Sequence, residues 1–354
     1  MENKFLKNYV NTPSPSGFEY ILGGQKLWMN YVKKYVHKVE IDNYGNAYAY
    51  YNKTDKKKKT ILIDAHADEI GFVVFDIDDN GFIKVARLGG SDITTTPAAR
   101  VDIWGDKGKV HGVFGHPAIH IQEKTFKLEI DKLFIDIGVS SKEDVIKKGI
   151  NIGTPITMSD GFFDLDNYFC GRSLDDKIGG FITSQLLKKM SEDKQELNFN
   201  LVIVNSVQEE VGLYGAKMIS NQIKPDIAIA IDVCHDTTSP AYNREKQGHV
   251  VAGEGVVLMN APTIQKNLLN ILKETATKNE IKYQMITSGR GTGTNADSYA
   301  YPSGTPTALI TMGMRYMHTT CELIHKQDVE SAINLLHKVM LNEKLIKDLK
   351  YNRK

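Results

Sequence analysis

Apolar residues recur at helical spacing through FEYILGGQKLWMNYVKKYV, residues 18–36, and Ser16 stands where an N-cap would. HKVEIDNYGNAYAYYN then alternates about a turn at Asn43–Gly45 and predicts a hairpin. The run KTDKKKK reads as the solvated turn of that hairpin rather than as a binding patch, and TILIDAH follows as a short apolar strand. From Ile70 to about Gly161 the texture changes. IGFVVFDID, GFIKVARLGG, RVDIWG, KVHGVFGH, KLFIDIG and NIGTPITM are short alternating strands broken by Gly, Pro and Asp-Asn-Gly; only SSKEDVIKKG has helical spacing. Strands so closely spaced predict a small β-barrel or sandwich.

Beyond Cys170, strand and helix alternate. DDKIGGFITSQLLKKM, VGLYGAKMISNQ, TIQKNLLNILKETATKNE and a closing DVESAINLLHKVMLNEKLIKDL read as helices. LNFNLVIVNS, KPDIAIAID, KYQMITSG and TPTALITMG read as the strands between them. Apolar strands separated by amphipathic helices imply an α/β fold whose mixed, mostly parallel sheet is sandwiched by helices. A length of 354 residues allows roughly two domains. Residues 1–69 are too few to build a core alone. They are expected to join residues 162–354 in one discontinuous domain, with residues 70–161 as an inserted β-barrel domain.

Composition removes several function classes. Lys plus Arg total 44 and Asp plus Glu 43, a net charge of +1, so no nucleic-acid partner held by phosphate neutralisation is expected. No run of about 18 apolar residues occurs, so no membrane span is expected. MENKFLKNYVNTPSPSGFE has no apolar h-region and reads as lacking a secretory signal. The three cysteines, Cys170, Cys234 and Cys321, are widely spaced with no C-x-x-C pair. That pattern fits a reducing cytoplasm and excludes a disulfide framework and a thiolate zinc cluster. Any metal must then be held by His and carboxylates.

Five features fall at the ends of predicted elements, where open α/β sheets bind ligands. His66 and Asp68 follow the first apolar strand, Asp175 and Asp176 precede a helix, Glu209 and Glu210 follow a strand, Asp232 ends one, and His318 follows the last. Each alone has a structural explanation: a polar pair, an N-cap, a solvated loop, a turn residue, a satisfied histidine. Together, two His and four acids on one edge repel strongly unless a cation neutralises them, and no matching set of basic residues flanks them. Imidazole plus carboxylate without thiolate suits Zn²⁺, Co²⁺ or Mn²⁺ better than Ca²⁺. The set suffices for two divalent ions sharing a bridging carboxylate, an arrangement that serves hydrolysis, with one further carboxylate left off the metals to move the proton.

HADEIGF, LDDKIG, QEEVGLYGA, AIDVCHD and RYMHTTCE, with TPSPSGFE and HGVFGH, resemble in sequence order the signature segments of the dinuclear metallo-aminopeptidases. That family includes glutamyl, deblocking and tetrahedral aminopeptidases, and the resemblance spans nearly the whole chain. It implies a zinc-peptidase-like α/β domain, a barrel that serves dimerisation, and a hollow dodecamer. It also implies that His66 and Asp232 hold one metal and Glu210 and His318 the other. Asp175 bridges them, through a cis Asp175–Asp176 bond; Glu209 is general base and acid; Asp68 orients His66. Which of Glu209 and Glu210 ligates rests on the resemblance alone. The expected activity is removal of N-terminal residues from short peptides by attack of a metal-bridging hydroxide.

The chain departs from the family pattern at Asn295, in GTGTNADS, where many relatives carry Asp. That puts a charge-dependent role of this segment in doubt. Cys234 reads as structural, while His235 fits either the pocket or the surface. His116 fits a barrel loop or a reach into a neighbouring subunit's site. Tyr214, Lys246 and Arg290 are candidates around the pocket for the N-terminal residue, where a basic group would select Glu or Asp. Two rivals stand beside the aminopeptidase. A glycoside hydrolase would use paired carboxylates but leaves His66, Asp232 and His318 without a task, and the chain has only Trp28 and Trp104 for sugar stacking. A catalytically inactive assembly protein of the same fold would not need every ligand position filled by a ligand-competent residue.

Overall fold

The computed structural model describes residues 3–122, 127–159, 161–240, 242–301, 303–347 and 349. The chain opens with α1 (Asn3–Asn11), α2 (Gly24–Val32), the hairpin β1 (Lys38–Ile41) and β2 (Ala47–Tyr50), and β3 (Thr60–His66). Six strands follow: β4 (Gly71–Ile77), β5 (Ile83–Leu88), β6 (Arg100–Gly105), β7 (Gly108–Phe114), β8 (Phe134–Asp136) and, after helix α3 (Lys142–Lys147), β9 (Pro155–Met158). Next come β10 (Phe163–Leu165), β11 (Tyr168–Gly171), α4 (Leu174–Glu192), β12 (Asn200–Ser206), α5 (Tyr214–Ile223), β13 (Ile227–His235), α6 (Arg244–Gln247) and β14 (Val256–Asn260). The chain closes with α7 (Lys266–Lys278), β15 (Tyr283–Thr287), α8 (Asn295–Ala300), β16 (Thr307–Arg315), β17 (Glu322–His325) and α9 (Lys326–Met340).

The large sheet runs β1-β2-β12-β3-β13-β16-β17-β11-β10, with β14 and β15 branching from β16. Its centre, β12-β3-β13-β16, is parallel, as strands buried on both faces should be. The flanking pairs are antiparallel, so the sheet is mixed and its parallel part is the middle. Alternation sends Ile61 and Ile63 of β3 into the core under α1, α2, α4 and α9, and sends Leu62 to the opposite face against Ala216 and Ile219 of α5 and Tyr299 of α8. Trp28 is fully buried and still satisfied, its Nε1 donating to the Gly180 carbonyl at 2.9 Å.

Strands β4-β5-β8-β7-β6-β9 form a closed barrel with its own core, including Phe72, Ile83, Val101, Ile103, Ile135 and Ile156. Side chains fill it, as expected for a barrel this small.

Several local expectations are corrected. The first predicted helix shrinks to α2, because Gly17 and Gly23 at φ 88° and 108° put left-handed turns before it. Ser16 is therefore no N-cap; its hydroxyl donates to Asp68. The lysine run is exposed but connects β2 to β3, which are separated in the sheet by β12. The closing helix stops at Met340, and Asn342 caps a separate turn by accepting the Lys344 N–H at 3.0 Å. β16 is not the last strand, since β17 follows His318. Among the described residues no helix is long and apolar enough to cross a membrane.

Candidate metal centre

Strand ends and one helix start deliver the candidate side chains. His66 ends β3 and Asp68 lies just beyond; Asp175 and Asp176 open α4 through a cis peptide bond. Glu209 and Glu210 follow β12, Asp232 lies near the end of β13, and His318 sits between β16 and β17. The parallel central strands put these ends at one edge of the sheet.

Asp175 is the hub. Its Oδ1 lies 3.1 Å from His66 Nε2 and its Oδ2 3.3 Å from His318 Nε2. His318 Nε2 is also 3.4 Å from Glu210 Oε2. Two groups result, His66–Asp175–Asp232 and Asp175–Glu210–His318, each with its ligand atoms within 4.8 Å of one another. Glu209 belongs to neither group, and its Oε2 lies 4.0 Å from His66 Nε2.

The electrostatics of this donor set favour a cation. Burial pushes the Glu209 carboxyl up to about 9, with Asp232, Asp68 and Asp175 adding repulsion. Burial and Asp175 push Asp232 up to about 7. Glu210 and Asp176 are raised well above the carboxylate range, again first by burial and then by neighbouring acids. Burial also opposes ionisation of Asp175, but hydrogen bonds from His318 and His66 outweigh it and hold its pKa low. Burial disfavours a charged His66, yet Glu209, Asp175 and Asp68 raise its pKa well above the ordinary value. The nearby cations Arg172 and Lys177 both pair with buried Glu69. Two imidazole Nε2 atoms among carboxylates, with surplus negative charge and no thiolate, fit divalent ions of the zinc type.

Supporting groups fix the candidate ligands. His66 Nδ1 lies 3.1 Å from the Asp68 carbonyl oxygen and 3.5 Å from its Oδ1, which leaves Nε2 for the centre. Asp68 also accepts the backbone N–H groups of Glu209 at 2.9 Å and Glu210 at 3.2 Å, and the Ser16 hydroxyl at 2.6 Å. Asp176 accepts the N–H of His66 at 3.3 Å and of Gly179 at 3.1 Å, so it caps the first turn of α4. Two acids had no role assigned from sequence. Buried Glu322 accepts the N–H of Asp175 at 3.1 Å and of His318 at 2.9 Å, and buried Glu19 accepts the Gln208 N–H at 3.1 Å. Both lie inside quoted motifs, RYMHTTCE and TPSPSGFE, which was the available signal.

Other candidates fall as follows. Asn295 is buried and donates to the Ser206 hydroxyl at 2.9 Å. Burial pushes the Cys234 thiol up to about 12, which leaves it inert. All three cysteines are free. His235 is exposed with its ring 5.7 Å from that of Tyr242. Tyr214, Lys246, Arg290 and His116 are exposed.

The model of the M42 glutamyl aminopeptidase family matches residues 45–335. The chain belongs to this family. It is accordingly a metal-dependent aminopeptidase, a peptide hydrolase. The lysyl aminopeptidase of Pyrococcus furiosus is 32% identical over 348 residues, 96% of each chain. The TET aminopeptidase from the marine sediment archaeon Thaumarchaeota archaeon SCGC AB-539-E09 superposes with a TM-score of 0.90 at 26% identity, covering 97% of both chains. The Pyrococcus horikoshii TET1 peptidase, which can assemble into a tetrahedron or a large octahedral shell, has a TM-score of 0.83 at 26% identity and covers 95% of this chain and 98% of its own.

Proposed function

We propose that this M42 chain uses two divalent ions, Zn²⁺ or Co²⁺ with Mn²⁺ also accommodated, to remove N-terminal residues from short peptides. The observation that carries this reading is Asp175, with one oxygen facing His66 and the other facing His318. His66 and Asp232 would hold one ion, Glu210 and His318 the other, and Asp175 both. When bound, the ions would supply Lewis acidity, lowering the pKa of water and polarising the scissile carbonyl.

The protein's own groups do the rest. Glu209 stands outside both triads, with its Oε2 4.0 Å from His66 Nε2, so its carboxyl is left to handle protons beside the centre. In its ionised form it takes the proton of the attacking water, and it then returns that proton to the leaving amine. Asp68 holds the Glu209 and Glu210 backbone in register with His66. The free amino terminus of a peptide would lie near the ions and the acids around them.

Residues 70–161 would act as an inserted dimerisation domain within a catalytic domain formed by residues 1–69 and 162–354. The shells formed by the TET1 relative support self-association, with a dodecamer the expected form, in the cytoplasm. Confinement in such a particle would restrict substrates to short peptides. A panel of aminoacyl chromogenic substrates, run on chelator-stripped protein refilled with each ion, tests the reading. Release that needs a free amino terminus and a divalent ion is expected; turnover without added metal would contradict it.

A further inference from the structure

We propose that the Gly89–Gly90 turn of the barrel is a positioning wall for the second metal group, holding Glu210 and His318 in place. The inference rests on the two-ion reading above. An ideal β-carbon on Gly90 would lie 2.6 Å from His318 Nδ1 and 2.9 Å from its Cε1. One on Gly89, at φ 68°, would lie 3.0 Å from Glu210 Cβ and 3.4 Å from the Glu210 carbonyl oxygen. The turn therefore packs bare backbone against both residues, and a β-carbon on Gly90 would have to displace the His318 ring. Both belong to the Asp175–Glu210–His318 group. The atoms nearest to the two β-carbon positions belong to neither His66 nor Asp232.

The turn is itself held. The Ser91 hydroxyl donates to the carbonyls of Gly71 at 2.9 Å and Leu88 at 3.3 Å. The Asp92 side chain accepts the Thr94 N–H at 2.8 Å. The wall meets the imidazole at its Nδ1 edge, while Nε2 faces Asp175 and Glu210. Fixing one edge of a ligating imidazole sets the aim of the other. From the backbone side Glu322 holds the N–H of His318, a residue at φ 63°. His318 is thus gripped by the large sheet at its main chain and by the barrel at its ring. The barrel completes half of the metal centre in its own subunit, a role separate from association.

Calorimetric titration of the stripped full-length protein with Zn²⁺ reads the number and affinity of bound ions. Wild type is expected to bind two. Gly90→Ala is expected to keep one ion at wild-type affinity and weaken the other about 10–100-fold, the usual scale for lost ligand support. Ser91→Ala loosens the turn without adding bulk, and is expected to weaken the same ion to a smaller degree even if Gly90→Ala does not fold. Gly105→Ala strains the barrel elsewhere, its β-carbon falling 2.6 Å from the Gly149 carbonyl oxygen, and should bind both ions as wild type does. Wild-type affinity for both ions in Gly90→Ala, or the same selective loss in Gly105→Ala, overturns the proposal. Wild type binding fewer than two ions overturns the underlying two-ion reading, and shows before any variant is compared.

Discussion

The Asp68 carboxylate accepts the backbone N–H of Glu209 at 2.9 Å. One buried acid thereby ties the histidine end of β3 to the loop that carries the proposed base. Asp68→Asn keeps the size but loses the charge and half of the acceptor capacity. It should lower kcat/KM about 10–100-fold and weaken metal binding, as loss of support around ligands does. Steady-state kinetics with metal analysis checks this, and unchanged values would remove Asp68 from the machinery.

Glu209→Gln removes the proton carrier while leaving both ligand groups intact. Activity should fall by about 10²–10⁴, the range for a lost general acid–base, with metal content unchanged. Loss of metal with activity retained would reverse the roles proposed for Glu209 and Glu210.

Asp175→Asn should disturb both ions at once, because each oxygen of Asp175 faces a different histidine. Metal analysis after dialysis should show less than half the wild-type content. Chelation should abolish wild-type activity, and Zn²⁺, Co²⁺ or Mn²⁺ should restore it. Hydrolysis of a glycoside that survives chelation would instead favour the carboxylate-pair reading.

The acid cluster makes the metal-free protein pH-sensitive. Asp232, Glu322 and Glu209 rise from ordinary values of 3.8, 4.5 and 4.5 to about 7, 8 and 9 on folding. Between those limits the folded chain binds more protons than the unfolded chain, so stability falls as pH rises. Melting curves of stripped protein should show Tm declining from pH 5 to pH 9. Added metal should raise Tm by more at the alkaline end, because it displaces those protons. A stripped protein whose Tm rises over that range would contradict the raised carboxyl pKa values.

Glu69 is buried between Arg172 and Lys177, both buried themselves. Glu69→Ala leaves two unpaired buried cations and should cost about 3–5 kcal/mol. Denaturant titration measures it, and a change below about 1 kcal/mol would mean that water reaches the pair.

The hairpin at Asn43–Gly45, the strand TILIDAH and the barrel strands were legible because local period and turn chemistry decide them. Branched apolar runs such as LVIVNS and IAIAID announced buried parallel strands. Strands paired across long stretches of chain were harder. YFCG and ELIH are each only four residues long, and they become β11 and β17 by pairing with each other and with β16. β17 and β11 meet across a long stretch of chain, and no local signal carries that pairing.

The sequence by itself determined the chemistry: two histidines and a surplus of acids at element ends, with no thiolates to compete, signal a divalent-metal site. Tertiary structure decided how those groups are shared out. It aims the two oxygens of Asp175 at opposite histidines, gives Glu322 and Glu19 the amides they hold, and sets the barrel turn against His318. Donor type is a property of each residue and can be read along the chain. Aim and distance arise only when segments remote in sequence pack against one another.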